Sequence, residues 1–250
     1  MDPSNAAGHM IIGAAIIMLI TLLGPRLARA GVVIEQKISV GSSAAPGSVK
    51  TRTVMLQDDK EKFQIANGLT VIIDANDRTA MLLDDKSKIF TQLPLRRVIG
   101  TNLDPNRDLY LAFKSSNRNR ELLGFKCQDY AAEKHNGPLL WATTACFSTK
   151  ATGADDFQHF ITALVSHSGR LEGASIPAGL PLAVESKRGV DTSFVPPDVS
   201  KQEAQRFQRQ ISHIPTQITR VDVTRITSAK LSSDTFNAPP GYTRRGPRPD

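Results

Sequence analysis

The chain has 250 residues, of which 40% are apolar, 22% charged and 6% aromatic. This suits one large domain or two small ones and excludes a solvated, low-complexity chain. Two cysteines exclude a disulfide-dense mini-protein and a four-cysteine zinc site, and a formal net charge of +7 comes from basic residues in twos and threes with no nucleic-acid motif, which leaves a solvated basic surface or attraction to an anionic membrane surface.

Met10 to Leu23 (MIIGAAIIMLITLL) is an uninterrupted apolar run. It is shorter than the roughly 20 residues a spanning helix needs and suits the core of an export signal. Gly24-Pro25 breaks it, and Ala28-Arg29-Ala30 offers the small-x-small pattern of a cleavage site. Residues 1–30 therefore read as a signal peptide. Arg26 and Arg29 follow the run while no Lys or Arg precedes it, which keeps a retained membrane anchor through residues 10–23 as the alternative. In both cases the following domain is exported and periplasmic or otherwise extracytoplasmic.

From Val32 to Pro94 short β-prone runs alternate with polar turns, the pattern of an antiparallel meander. The runs are Val32 to Val40, Val49 to Gln57, Lys62 to Ala66, Leu69 to Asp74, Thr79 to Asp84 and Lys88 to Leu93. Asn67-Gly68 is a hairpin signal, because both central residues of a type I′ turn need positive φ. Asp74 and Asn76 begin a D-x-N pattern, but Arg78 takes the next ligand position and no Glu closes a calcium loop.

Asp104-Pro105 reads as an N-cap followed by Pro at the first helical position, opening a short helix through about Phe113. Lys114 to Glu121 reads as polar loop. Two strands follow, Glu121 to Lys134 and Pro138 to Lys150, joined at Asn136-Gly137. A two-residue turn there sets Cys127 directly opposite Cys146, within disulfide range. Such a bond needs an oxidising compartment, which agrees with export.

A helix from Thr152 to about His167 carries Phe157, Phe160, Ile161, Leu164 and Val165 at helical spacing. This apolar face covers the sheet, either as core or as a lid over an apolar ligand. His159 and His167 share nearly one face but have no third ligand at suitable spacing. Pro181 to Lys187 is a further strand. A Pro-rich, polar insertion at about 188–215 contains the capping box Ser200–Glu203 and the stripe Phe207 and Ile211. A last strand, roughly Thr216 to Ala229, precedes a segment with Phe236 and Tyr242 and a disordered basic tail at 244–250.

IIDANDRTAMLLDDKSKIFTQLP (72–94), LLGFKCQDY (122–130), the strand around Trp141, GLPLAVES (179–186) and SSDTFNAPPGY (232–242) together resemble, in order, an exported bacterial domain family of unknown function related to the LolA and LolB lipoprotein carriers. The likeness spans most of 31–243 and implies one domain, mainly β within the α+β class: a strongly curved antiparallel sheet, an incomplete barrel, covered by a few helices and with room for an apolar ligand. The 188–215 insertion and Cys146 depart from the family pattern.

The leading expectation is thus a non-enzymatic envelope domain binding a lipid or a lipoprotein acyl chain between sheet and helices. A filled core with a structural or protein-binding role is the alternative. A hydrolase finds little support, since G-x-S-x-G, H-E-x-x-H and P-loop motifs are absent; no catalytic residue, metal or cofactor is assigned, and nucleic acid is not an expected partner.

Overall fold

The computed structural model describes residues 30–65, 68–168, 171 and 173–246. The run Met10 to Leu23, Ala28 and Arg29 of the cleavage pattern, Ala66 at the end of the third expected run, Asn67 of the first hairpin signal and residues 247–250 lie outside the described residues. Six strands form the meander: β1 (Gly31–Ser42), β2 (Ala45–Gln57), β3 (Lys60–Ile65), β4 (Leu69–Asp74), β5 (Thr79–Asp84) and β6 (Ile89–Pro94). After an irregular strap at 95–113 come β7 (Lys114–Leu122), β8 (Phe125–Asn136), β9 (Leu139–Ser148) and helix α1 (Ala154–Ser168). The chain ends with β10 (Leu180–Val190), helix α2 (Lys201–Ile211), β11 (Gln217–Ala229) and a two-residue β12 (Thr243–Arg244).

These strands build one 12-stranded sheet in the order β12-β6-β5-β4-β3-β2-β1-β11-β10-β9-β8-β7. All neighbours pair antiparallel except β12, which runs parallel to β6. The sheet is open, with β7 and β12 at its edges, and β11 returns to lie between β1 and β10 and so joins the two meanders. In a flat sheet β4 and β9 would stand about 29 Å apart, at roughly 4.8 Å per strand. Yet Val71 and Ile73 of β4 share one core cluster with Ala145 and Phe147 of β9 and with α1. The sheet therefore curls around the helix, and its inner face carries the main core.

Alternation explains which side chains enter that core. Val54 and Leu56 on β2, Phe63 on β3 and Val71 and Ile73 on β4 are each at most 3% exposed and lie in paired rows on the same face. From α1, Phe157, Phe160, Ile161 and Leu164 enter the same cluster. The helix starts close against β1: Gly153 has φ +81°, and a Cβ there would lie 2.7 Å from Val32, so only glycine fits. The outer face has its own smaller cluster, in which Ile72, Leu83, Met55 and Phe90 are covered by Phe236 and Tyr242 of the C-terminal segment. Tyr242 donates to Asp85 Oδ1 at 2.6 Å, and pairing with Phe90 carries Arg244, the first residue of the expected basic tail, into β12.

Three local expectations are corrected. The helix from Asp104 to Phe113 is replaced by a single 3₁₀ turn at Arg107–Leu109, because Asp104 turns inward and accepts from the Gly100 N–H at 2.8 Å and the Asn106 N–H at 2.9 Å. The polar loop at 114–121 is strand β7. As an edge strand it is exposed along nearly its whole length and lacks the apolar alternation that betrays other strands.

The third correction concerns register. Asn136 pairs with Leu139 and Asp129 with Cys146, so the turn is Gly137-Pro138 and the pairing has slid by two. The reason is Pro138, which has no N–H to close a turn at 136–137 but suits the second place of a turn whose first residue is Gly137, at φ +58°. A slide of two keeps both cysteines on the same face of the hairpin. They are bonded on the diagonal, with Cα atoms 5.4 Å apart.

Candidate functional site

On the inner face the packed region under α1 gives way to an open groove, and the strap forms one wall of that groove. Leu95, Val98, Ile99, Leu109 and Phe113 anchor the strap in the core. Phe113 N–H donates to the Ser175 carbonyl at 3.2 Å and Ser175 N–H to the Leu111 carbonyl at 3.1 Å, tying the strap to the segment before β10.

Beneath the strap lies a buried polar network. Glu61 and Asp104 are each 2% exposed. Asn106 Nδ2 donates to both Glu61 oxygens at 3.2 and 3.0 Å, while Asp104 accepts from Tyr110 OH at 3.2 Å as well as from the two backbone N–H groups. Arg52 faces the same network and donates from Nε and Nη2 to Gln36 Oε1 at 2.9 and 2.6 Å. Burial, reinforced by the nearby Asp104 charge, pushes the Glu61 carboxyl up to about 8 against the opposing pull of Arg52 and Asn106. Burial likewise raises Asp104 to about 6, although its three hydrogen bonds act the other way. Tyr110 is raised by burial and by Asp104, and burial lowers Arg52. Two buried acids, of which Glu61 keeps its proton at neutrality and Asp104 gives its proton up near pH 6, thus join the strap to β2 and β3.

The groove next to this network has a volume of about 490 Å³. Arg107, Asp108, Tyr110 and Leu111 of the strap form its wall, and Lys134, Trp141, Thr143, Ser186 and Arg188 of β8, β9 and β10 form its floor. Register defines the floor. Trp141 is directly opposite Lys134 on one side and Arg188 on the other, so one row reads cation, indole, cation. One row further in, Thr143 and Ser186 are opposite each other, buried, with their hydroxyls 3.3 Å apart. The next row inward is Tyr130, Ala145 and Val184. Along the strands this face therefore passes from charged through hydroxyl to apolar side chains, and only the first two rows line the groove, Ala145 of the third being buried.

A second hollow, about 570 Å³, lies beside the disulfide over Tyr130 and Phe147. The nearby cation Arg120 is answered by Asp129 at 2.8 Å.

The residues read as an apolar ligand or lid face are packed: Phe157, Phe160, Ile161 and Leu164 are 0–3% exposed, and Val165 is half-buried. His159 pairs with Asp59 at 3.0 Å and His167 meets the Ala75 carbonyl at 3.0 Å. Sequence reasoning missed Arg52, Glu61 and the row Lys134, Trp141, Arg188. A signal existed for the first two: Arg52 has the parity of Val54 and Leu56, and Glu61 that of Phe63, so both are charged residues at inward positions.

No family model matches the chain, and neither does any curated protein. Solved structures that resemble it include PNGF-II (9% identity, TM-score 0.40, 86% of this chain and 30% of that one). A LolA superfamily protein from Nitrosomonas europaea (7%, 0.33, 85% and 92%) and a DUF1329 family protein from Desulfovibrio piger (8%, 0.29, 90% and 97%) also do so. The chain spans about a third of the length of PNGF-II.

Proposed function

We propose that this is an exported, non-enzymatic binding domain for an amphiphilic ligand, a lipid or an acyl chain, held in the groove between the inner sheet face and the strap. The observation that carries the reading is the groove floor, where Lys134, Trp141 and Arg188 form one row and the Thr143 and Ser186 hydroxyls the next, with Tyr110 and Leu111 of the strap and Leu171 lining the same groove. A ligand with one polar and one apolar end suits this lining, in which Trp141, Leu111 and Leu171 offer apolar contact beside the charged and hydroxyl groups that would fix its orientation. The Cys127–Cys146 bond supports an oxidising, extracytoplasmic location, and the net positive charge favours approach to an anionic membrane surface.

The packing under α1 favours a second reading, in which the apolar face of the helix is plain core and the domain binds another envelope protein. Mass spectrometry of a solvent extract, followed by titration of the delipidated protein with a fluorescent fatty acid, separates the two. Co-purifying lipid and saturable probe binding are expected; neither would appear for a protein-binding domain without a ligand.

A further inference from the structure

We propose that the outer end of the groove is a subsite for the ligand's oxyanion, a carboxylate or phosphate, held by Arg188, Lys134 and Arg107 beside Trp141. The proposal rests on the groove being the ligand site and adds the charge and chemical class of the group bound there.

Three cations converge on this place. Lys134 and Arg188 flank Trp141 from the two neighbouring strands, at the roughly 4.5–5.5 Å Cα spacing of directly paired residues. Arg107 comes from the strap and lines the same groove. Two carboxylates answer them: Asp108 directly, and the buried Asp104, whose charge is felt by Arg107. Arg188 Nη2 donates to Asp108 Oδ1, and Arg107 Nε lies 3.8 Å from the same oxygen. Two guanidinium groups thus share one acceptor, and their mutual repulsion, second to burial, lowers Arg107. Lys134 has no carboxylate within ion-pair distance among the described residues, whereas neighbouring Lys187 is paired with Glu185 at 3.2 Å.

Three cations against Asp108 and Asp104 leave a net positive charge, and the two guanidinium groups are partly buried, where screening by water is weaker than at the exposed Lys134. A guanidinium pair offers forked donors that match the geometry of a carboxylate or phosphate. Asp108 acts as an internal competitor that holds the guanidinium groups in position and yields when an external anion binds. The buried Thr143 and Ser186 hydroxyls, one row inward, can meet an ester or carbonyl oxygen next to the charged group.

The test titrates the full chain at pH 7.4 with laurate, uncharged methyl laurate and inorganic phosphate, following the fluorescence of Trp141. Laurate is expected to bind at least tenfold more tightly than methyl laurate. Lys134→Gln, at an exposed position, and Arg188→Gln should each bring laurate affinity toward that of the methyl ester measured in the same variant, and Asp108→Asn should strengthen laurate binding severalfold. Equal affinity for laurate and its ester would overturn the oxyanion subsite while leaving a chain-binding groove. Binding of phosphate without either alkyl ligand would instead keep the subsite and overturn the amphiphile reading. If none of the three binds, both fail.

Discussion

Two patches of one inner sheet face differ in what their side chains meet. Under α1, apolar residues from β1 to β4 and from β9 and β10 close on Phe160 and Leu164, both 0% exposed. A few residues further along β8, β9 and β10 the same face carries Lys134, Trp141 and Arg188 and opens into a groove. The difference teaches that covering elements, not the sheet, decide whether a face becomes core or site. The helix supplies apolar volume that fills its patch, whereas the strap turns Arg107, Asp108 and the buried Asp104 network toward the strands and leaves space.

The largest expected effect would break the contrast directly. Leu164→Glu puts an unpaired charge into the packed patch, where it costs several kcal/mol, so thermal unfolding should show loss of the native state. Trp141→Ala in the groove should keep a cooperative transition near the wild-type melting temperature but lose fatty-acid binding. Equal damage from both substitutions would mean that the patches are one core.

Removing the disulfide with Cys146→Ala should cost on the order of 3 kcal/mol, given the sequence separation of 19 and the chain-entropy cost of closing such a loop. Denaturant midpoints read this, and a midpoint equal to wild type would contradict it. Groove binding should persist in the variant, because the bond lies outside the row that holds Trp141.

The buried acids between the patches sharpen the comparison through pH. Glu61 binds its proton up to about pH 8 when folded, against an ordinary value of 4.5, so between these limits the native state holds a proton that the unfolded chain has released. Stability should therefore fall as pH rises through that window, by at most about 1.4 kcal/mol per pH unit, and level off above it. Asp104, raised from 3.8 to about 6, adds in the same direction at the acid end. Glu61→Gln should flatten the slope between pH 6 and 8. An unchanged slope would show that another group titrates there. Smaller still, Lys134→Ala should change stability by no more than about 0.5 kcal/mol, as expected for an exposed side chain.

Much of the packed patch was legible in the sequence, because burial on one side imposes a period. β4 and β5 have the boundaries that the polar turns around their β-prone runs set, the apolar spacing of α1 marks its buried face, and the Ser200–Glu203 capping box closes as its residues imply. The groove was not legible, since its defining row depends on a register that Pro138 displaced by two, and Lys134 and Arg188 lie more than fifty residues apart in the chain. β7 was missed for want of a buried side. Asp104-Pro105 carries a helix-start signal, but the Asp104 carboxylate found stronger partners in Gly100, Asn106 and Tyr110.

The location of the ligand is the central claim, and the chain's single tryptophan reports on it. Titrating the full chain with a brominated fatty acid, while equilibrium dialysis measures binding independently, asks whether the bromine comes into contact with Trp141. Saturable quenching of Trp141 that follows the dialysis isotherm is the expected result. Binding of the brominated chain with Trp141 fluorescence unchanged would put the ligand elsewhere and contradict the account.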